Sequence, residues 1–203
     1  MFCSSGGADS NLVIMGWWML AMLAYPETQA HAQAELDAVV GCARLPTFAD
    51  HSHLPYIRAM VKETIRWRPV GPLAMYHWST EDDWYEGMFI PKGTICIPNV
   101  WHMNRDPELF GKNTEHFDPR RYLYASGDSA PGMSDIKEQQ GHSSYGFGRR
   151  NCIGRYMADN SLFINIAVNY GRPKLSVRRT HRAGFFPPGA TSMLSQEREL
   201  RGL

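Results

Sequence analysis

The sequence predicts a mainly α-helical chain with a small β element. Two segments carry apolar residues at helical spacing, opened by proline and closed by glycine or proline. A third, near the N-terminus, is almost wholly apolar. One later stretch, "YEGMFIPKGTICIPNV" (85–100), alternates instead and contains a Pro-Lys-Gly turn. At 203 residues and 43% hydrophobic, the chain can bury a core.

The apolar run "LVIMGWWMLAMLAY" (12–25) is 14 residues long, short for a membrane span and of the length of a buried core helix. A signal peptide fits less well, because the preceding residues hold no Lys or Arg and include Asp9. Pro26 can then open a new helix at its first position. "PETQAHAQAELDAVVG" follows, with Leu36, Val39 and Val40 expected on one face and Gly41 as the stop. In "LPYIRAMVKETIRWRP", Ile57, Val61 and Ile65 repeat every four residues between Pro55 and Pro69. The 85–100 stretch reads as a β-hairpin turning at its Pro-Lys-Gly. Residues 102–144 read as mostly irregular, and "YASGDSAPGMSDIKEQQGHSS" has the small polar composition of an exposed loop. A last helix is expected over about 153–169. The tail, 171–203, has seven Lys or Arg against two Glu and little apolar periodicity, so it is expected to be poorly ordered.

The totals exclude some functions. A formal net charge of +1 gives no reason to expect a nucleic-acid partner. Four cysteines, at 3, 42, 96 and 152, form no C-x-x-C pair, so reduced thiols are expected rather than a disulfide framework or a structural zinc site. A secreted four-cysteine domain would require cleavage within residues 1–30 and paired thiols.

The chemistry concentrates in "SYGFGRRNCIGRYMAD" (144–159). Glycines permit a tight backbone path, arginines bring fixed positive charge, and a helix start favours an anion. Cys152 is thus placed to be a thiolate, either a nucleophile or a metal ligand. Its plain alternative is a small buried apolar residue. Elsewhere, Glu63 and Arg66 share a face of the 54–68 helix; alone they read as an exposed ion pair worth little. Arg121 in "FDPRRYL" is unremarkable alone. Asp9 and Ser10 in "SGGADSN" read alone as a helix N-cap.

Taken together and in order, these stretches resemble the C-terminal part of a cytochrome P-450. Tyr145-Gly146-Phe147-Gly148-Arg149-Arg150-Asn151-Cys152-Ile153-Gly154 is similar to the family's F-x-x-G-x-R-x-C-x-G heme signature, with Tyr145 in place of Phe. Glu63-x-x-Arg66 resembles the E-x-x-R helix pair. Arg121 falls on the arginine of the P-E-R-F-like segment, with Arg120 in place of the usual acid. Gly6 to Asn11 resembles the oxygen-activation motif, with Ser10 where Thr is usual and Asn11 a further polar departure. The resemblance covers about residues 4 to 168, and its phrasing is similar to the fungal microsomal branch.

The resemblance implies a P-450-like fold, of which this is the incomplete C-terminal half: a partial heme domain over 1–170 and an atypical basic tail over 171–203. It implies a monooxygenase with heme b, whose iron Cys152 ligates as a thiolate, a ligation that favours O–O cleavage. Gly148, Gly154 and Tyr145 would shape the loop near the sulfur. Arg150 would reach a heme propionate, with His77 as second candidate. Glu63, Arg66 and Arg121 would form a buried network, and Asp9 with Ser10 would relay protons over the distal face. The partners implied are an NADPH–cytochrome P-450 reductase and an apolar small-molecule substrate. The parent would be anchored at the endoplasmic reticulum membrane through an N-terminal segment not in these residues. The other expectation is a truncated, non-catalytic fragment that keeps only the heme-side signature.

Overall fold

The computed structural model describes residues 3–123 and 143–170. All belong to the first of the chain's two units, Met1–Pro173. The tail expected to be poorly ordered, and nearly all of the polar loop expected at 124–144, lie outside the described residues.

Helix α1, Cys3–Ala24, is followed by α2, Pro26–Val39, α3, Pro55–Trp67, and, after short strands and short helices, α6, Arg155–Tyr170. These four build the core. On α1 the buried residues are Ile14, Trp18, Ala21 and Met22, one helical stripe. The opposite face is apolar yet exposed, with Leu12 at 71% and Leu23 at 58%. The expectation of a buried helix therefore holds for one face only, the face toward α3 and α6. Because α1 begins at Cys3, Asp9 and Ser10 lie inside the helix and cannot cap its start, which removes the N-cap reading.

Helix α2 starts with Pro26 at its first position, as expected. Its buried stripe is Thr28, Ala32 and Leu36, however, and Val39 is exposed. The four-residue spacing of that stripe rotates Val39 off the face packed on α3. Gly41 ends the helix at φ +72°, with its N–H donated to Leu36 O at 3.2 Å. That left-handed conformation favours glycine.

Helix α3 is the hub. Ile57, Met60, Val61 and Ile65 are all under 5% exposed, each such side chain contributing about 1.5–3 kcal/mol of burial. Its first free N–H groups, on Tyr56 and Ile57, donate to the Glu35 carboxylate of α2 at 2.8 and 3.0 Å. Burial raises the pKa of Glu35 against the lowering effect of those two bonds. Across the core, Trp18 Nε1 donates to Met60 Sδ at 3.2 Å and the Trp18 ring meets Tyr170 edge-on. This joins α1, α3 and α6.

The β element corrects the hairpin reading. Strands β1, His77–Trp78, and β4, Ile95–Cys96, pair with each other; β2, Asp83–Tyr85, pairs with β3, Met88–Ile90. His77 faces Cys96 and Asp83 faces Ile90, so six residues forward on one arm are six back on the other. The two ladders thus share one register and nest as an interrupted hairpin. The reversal lies at Glu86–Gly87, both with positive φ (48° and 80°), the pattern of a type I′ turn. The Pro-Lys-Gly stretch is an interruption in the returning arm. Two short helices, α4 (Val100–Met103) and α5 (Pro107–Phe110), and a 3-10 turn at Pro119–Tyr122 give residues 102–122 more structure than expected.

Candidate functional site

A cavity of about 400 Å³ lies between α1 and the cysteine loop. From α1 it is lined by Gly7, Ser10, Asn11 and Ile14, at the i, i+3, i+4, i+7 spacing of one helix face. Ile65 and Val70 add apolar wall. The other side is Ser144, Tyr145, Cys152, Ile153 and Gly154, continued by Ala158 and Leu162 of α6.

Two glycines shape the loop. Gly146 has φ +87°, and a Cβ there would stand 3.3 Å from Arg150 O. Gly148 has φ +51°. Both conformations favour a residue without a side chain. The chain then returns so that Cys152 N–H donates to Tyr145 O at 2.7 Å. Cys152 is free and exposed, which removes the reading of a buried apolar cysteine. A Cβ on Gly154 would lie 3.8 Å from its Sγ.

Of the residues expected at this site, Ser10, Tyr145, Cys152 and Gly154 are brought together around the cavity. Asp9 is exposed on α1 outside the cavity wall, because it lies about 100° from Ser10 on the side away from Asn11, and so off the face of Gly7, Ser10, Asn11 and Ile14. Arg150 and Gly148 are exposed within the loop and do not line the cavity. His77 is exposed on β1 and, like Arg150, does not line the cavity. Asn11, Gly7 and Asp159 were not among the expected site residues. The helical spacing from Ser10 signals the first two. The extra hydroxyl of Tyr145, which needs a partner when buried, signals the third.

Behind the loop lies the charged network. Glu63 and Arg66 are both 0% exposed, so the reading of a surface ion pair is overturned. Arg66 grips the carboxylate with two N–H groups, at 2.7 and 2.8 Å. Its remaining donors reach the carbonyls of Asn104, Thr114 and His116. Arg121 Nε reaches Glu63 Oε1 at 3.2 Å, and its other nitrogens donate to carbonyls of Phe110, Lys112, Asn113 and His116. Asp118 N–H completes the Glu63 carboxylate at 2.8 Å. Burial is the largest single influence and works to lower the Arg66 pKa, yet the bond to Glu63 and the attraction of the negative groups around it together outweigh it, and the net shift is upward. The loop is pinned to this network: Asn104 Nδ2 donates to Ser144 Oγ at 2.8 Å, and Ser144 Oγ donates to Ile65 O at 3.3 Å.

The residues present fit heme b. A thiol lines a mostly apolar cavity and could ligate iron, glycines leave room beside the sulfur, and the facing helix presents small polar groups. Among the described residues no helix is long and apolar enough to cross a membrane.

The comparisons agree. The cytochrome P-450 family model matches residues 4–168. A cytochrome P-450 monooxygenase of Armillaria gallica is 62% identical over 164 residues, covering 81% of this chain and 31% of the relative. The iboC monooxygenase of Amanita muscaria is 41% identical, covering 79% and 36%. A zebrafish cytochrome P-450 structure with progesterone superposes at a TM-score of 0.70 and 30% identity, over 83% of this chain and 36% of that one. The chain thus spans about a third of the length of these relatives. With the family match running through the α1 face, the buried charge network and the cysteine loop, the chain belongs to the cytochrome P-450 family, whose cofactor is heme b.

Proposed function

We propose that this chain is the heme-ligating part of a heme-thiolate monooxygenase that hydroxylates an apolar small molecule. The observation that carries the reading is the cavity with Cys152 on one wall and Ser10 on the other. Heme, when bound, supplies the activation of dioxygen. The chain's own residues do the rest. Cys152 Sγ would hold the heme iron, and the loop glycines keep side chains away from it. Arg150, two residues from Cys152, would pair with a propionate. Ser10 Oγ would hold a proton on the cavity wall facing Cys152, and Asp9 would exchange it with solvent from its exposed position. Asn11 offers a donor and an acceptor beside it. Ile14, Ile65, Val70 and Leu162 exclude water, which suits an apolar substrate. Electrons would come from an NADPH–cytochrome P-450 reductase, with the whole protein held at the endoplasmic reticulum membrane.

The test is the ferrous–carbon monoxide difference spectrum of the chain expressed with a heme precursor. A strongly red-shifted Soret band, lost in Cys152→Ser, is the expected result. A histidine-type or neutral-thiol spectrum would overturn the reading. A second reading, a heme-side fragment without turnover over 1–170, is favoured by the exposed apolar side chains Ile153 and Met157 beside the site, at 88% and 76%. The red-shifted band without product formation in the presence of reductase would favour it.

A further inference from the structure

We propose that Tyr145 and Asp159 form a tether that positions the cysteine loop against α6. The proposal deepens the reading of Cys152 as a ligand, and it rests on three connected observations. First, Tyr145 Oη donates to Asp159 Oδ1 at 2.7 Å. Second, the backbone carbonyl of the same tyrosine accepts the Cys152 N–H, also at 2.7 Å. One residue therefore holds the cysteine with its main chain and α6 with its side chain. Third, α6 is itself immobilised by the core. Leu162, Phe163, Ile166 and Ala167 are each 1% exposed or less, so Asp159 is a fixed anchor.

The sequence departure explains why the tether exists here. A phenylalanine at position 145 would need no partner, whereas a half-buried tyrosine hydroxyl does. Asp159 is half-buried and faces Lys62 of α3, His51 of the Phe48–His53 turn and Arg155 of its own helix. These cations favour its charged form, although burial works the other way and wins. The Tyr145 hydroxyl stays protonated, because burial and then the neighbouring carboxylate both oppose its ionisation. It is therefore a donor throughout the usable pH range. The ring also lines the cavity beside Cys152, so any shift of the tether moves the loop carrying the thiol.

The test needs no heme. The rate at which iodoacetamide alkylates Cys152 is measured by peptide mapping in the 203-residue chain, with the exposed thiols Cys42 and Cys96 as internal standards. Tyr145→Phe keeps the ring volume and removes only the bond. It and Asp159→Leu should each speed Cys152 alkylation by about threefold or more, as loss of one net hydrogen bond implies. Asp159→Asn keeps an acceptor oxygen and should stay near the wild-type rate. The double variant Tyr145→Phe/Asp159→Leu should be no faster than the single ones, since both remove one interaction. An unchanged or slower rate in Tyr145→Phe overturns the proposal. So does a parallel rise at Cys42 and Cys96, which would mean general loosening. In the heme-loaded chain, Tyr145→Phe should also shift the Soret position. If the wild type holds no heme while the alkylation pattern is as expected, the tether stands and the ligand reading of Cys152 fails.

Discussion

Two arginine-bearing regions of this molecule use the same residue type in opposite ways. In the network behind α3, Arg66 is 0% exposed and its guanidinium makes five hydrogen bonds, two of them to Glu63. In the cysteine loop, joined to that network through Asn104 and Ser144, Arg149 and Arg150 are exposed, and the backbone bends at glycines rather than being held by charge. The first region is over-determined: remove any member and charged or polar groups are stranded. The second is tied to its neighbours by side chains at Ser144 and Tyr145 and is otherwise closed by its own main-chain bonds, the Cys152 N–H among them. Stability and chemistry are thereby separated. The scaffold that fixes the loop carries no reactive group, and the loop that carries the reactive group contributes little to the core.

The largest expected effect tests the scaffold side. Arg66→Ala leaves the Glu63 carboxylate buried without its main partner, beside the Asn104 and Thr114 carbonyls that Arg66 had satisfied, and should cost about 3–5 kcal/mol. That is a large part of an ordinary domain's stability. Arg66→Lys should rescue little, since one ammonium cannot replace a planar fork. Urea unfolding measures both, and near-wild-type stability in Arg66→Ala would break the comparison. Arg121→Ala should cost less, about 1.5–3 kcal/mol, because Arg66 still neutralises Glu63 when the outer partner goes. Gly146→Ala probes the loop. Strain at φ +87° and the close Arg150 carbonyl should cost about 1–3 kcal/mol, felt at Cys152 reactivity more than in the unfolding of the helices.

The smallest effect is on pH dependence. His51 packs edge-on against Phe163 at 4.6 Å between ring centres. Burial first, then the Arg58 cation, lower its pKa below the ordinary histidine value of 6.5, against the pull of Asp159. A histidine depressed in the fold lends stability that is present above about 6.5 and is lost as the pH falls through its folded value. The melting temperature should therefore fall on acidification by more in the wild type than in His51→Gln. Equal falls would show that His51 is not a sensor of the fold.

Much of this was legible in the sequence, and the failures have physical causes. The proline at Pro26, the stop at Gly41 and the four-residue spacing on α3 are local signals, and the structure follows them. The Glu63–Arg66 spacing was also plain, but its burial was not. That burial depends on residues 104–121, whose carbonyls wrap the pair from far along the chain. The hairpin was found yet turned in the wrong place. Pro-Lys-Gly is the louder turn signal, while the real reversal uses Glu86, a residue that seldom adopts positive φ. Ser10 lies on the cavity wall and Asp9 beside it does not, since the Gly7, Ser10, Asn11 and Ile14 face continues on the other side of Ser10. Asp159 needed the tertiary fold to become visible.

The Glu35 carboxylate that receives the first two N–H groups of α3 has a kinetic meaning. An isolated helix must leave those donors to water, and a 13-residue helix is marginal on its own. Here the cap arrives from 21 positions earlier in the chain, on another helix. Completing α3 and docking α2 are consequently one event rather than two. Refolding should pass through a transition state in which both segments are formed together, with Glu35→Gln slowing folding more than it speeds unfolding.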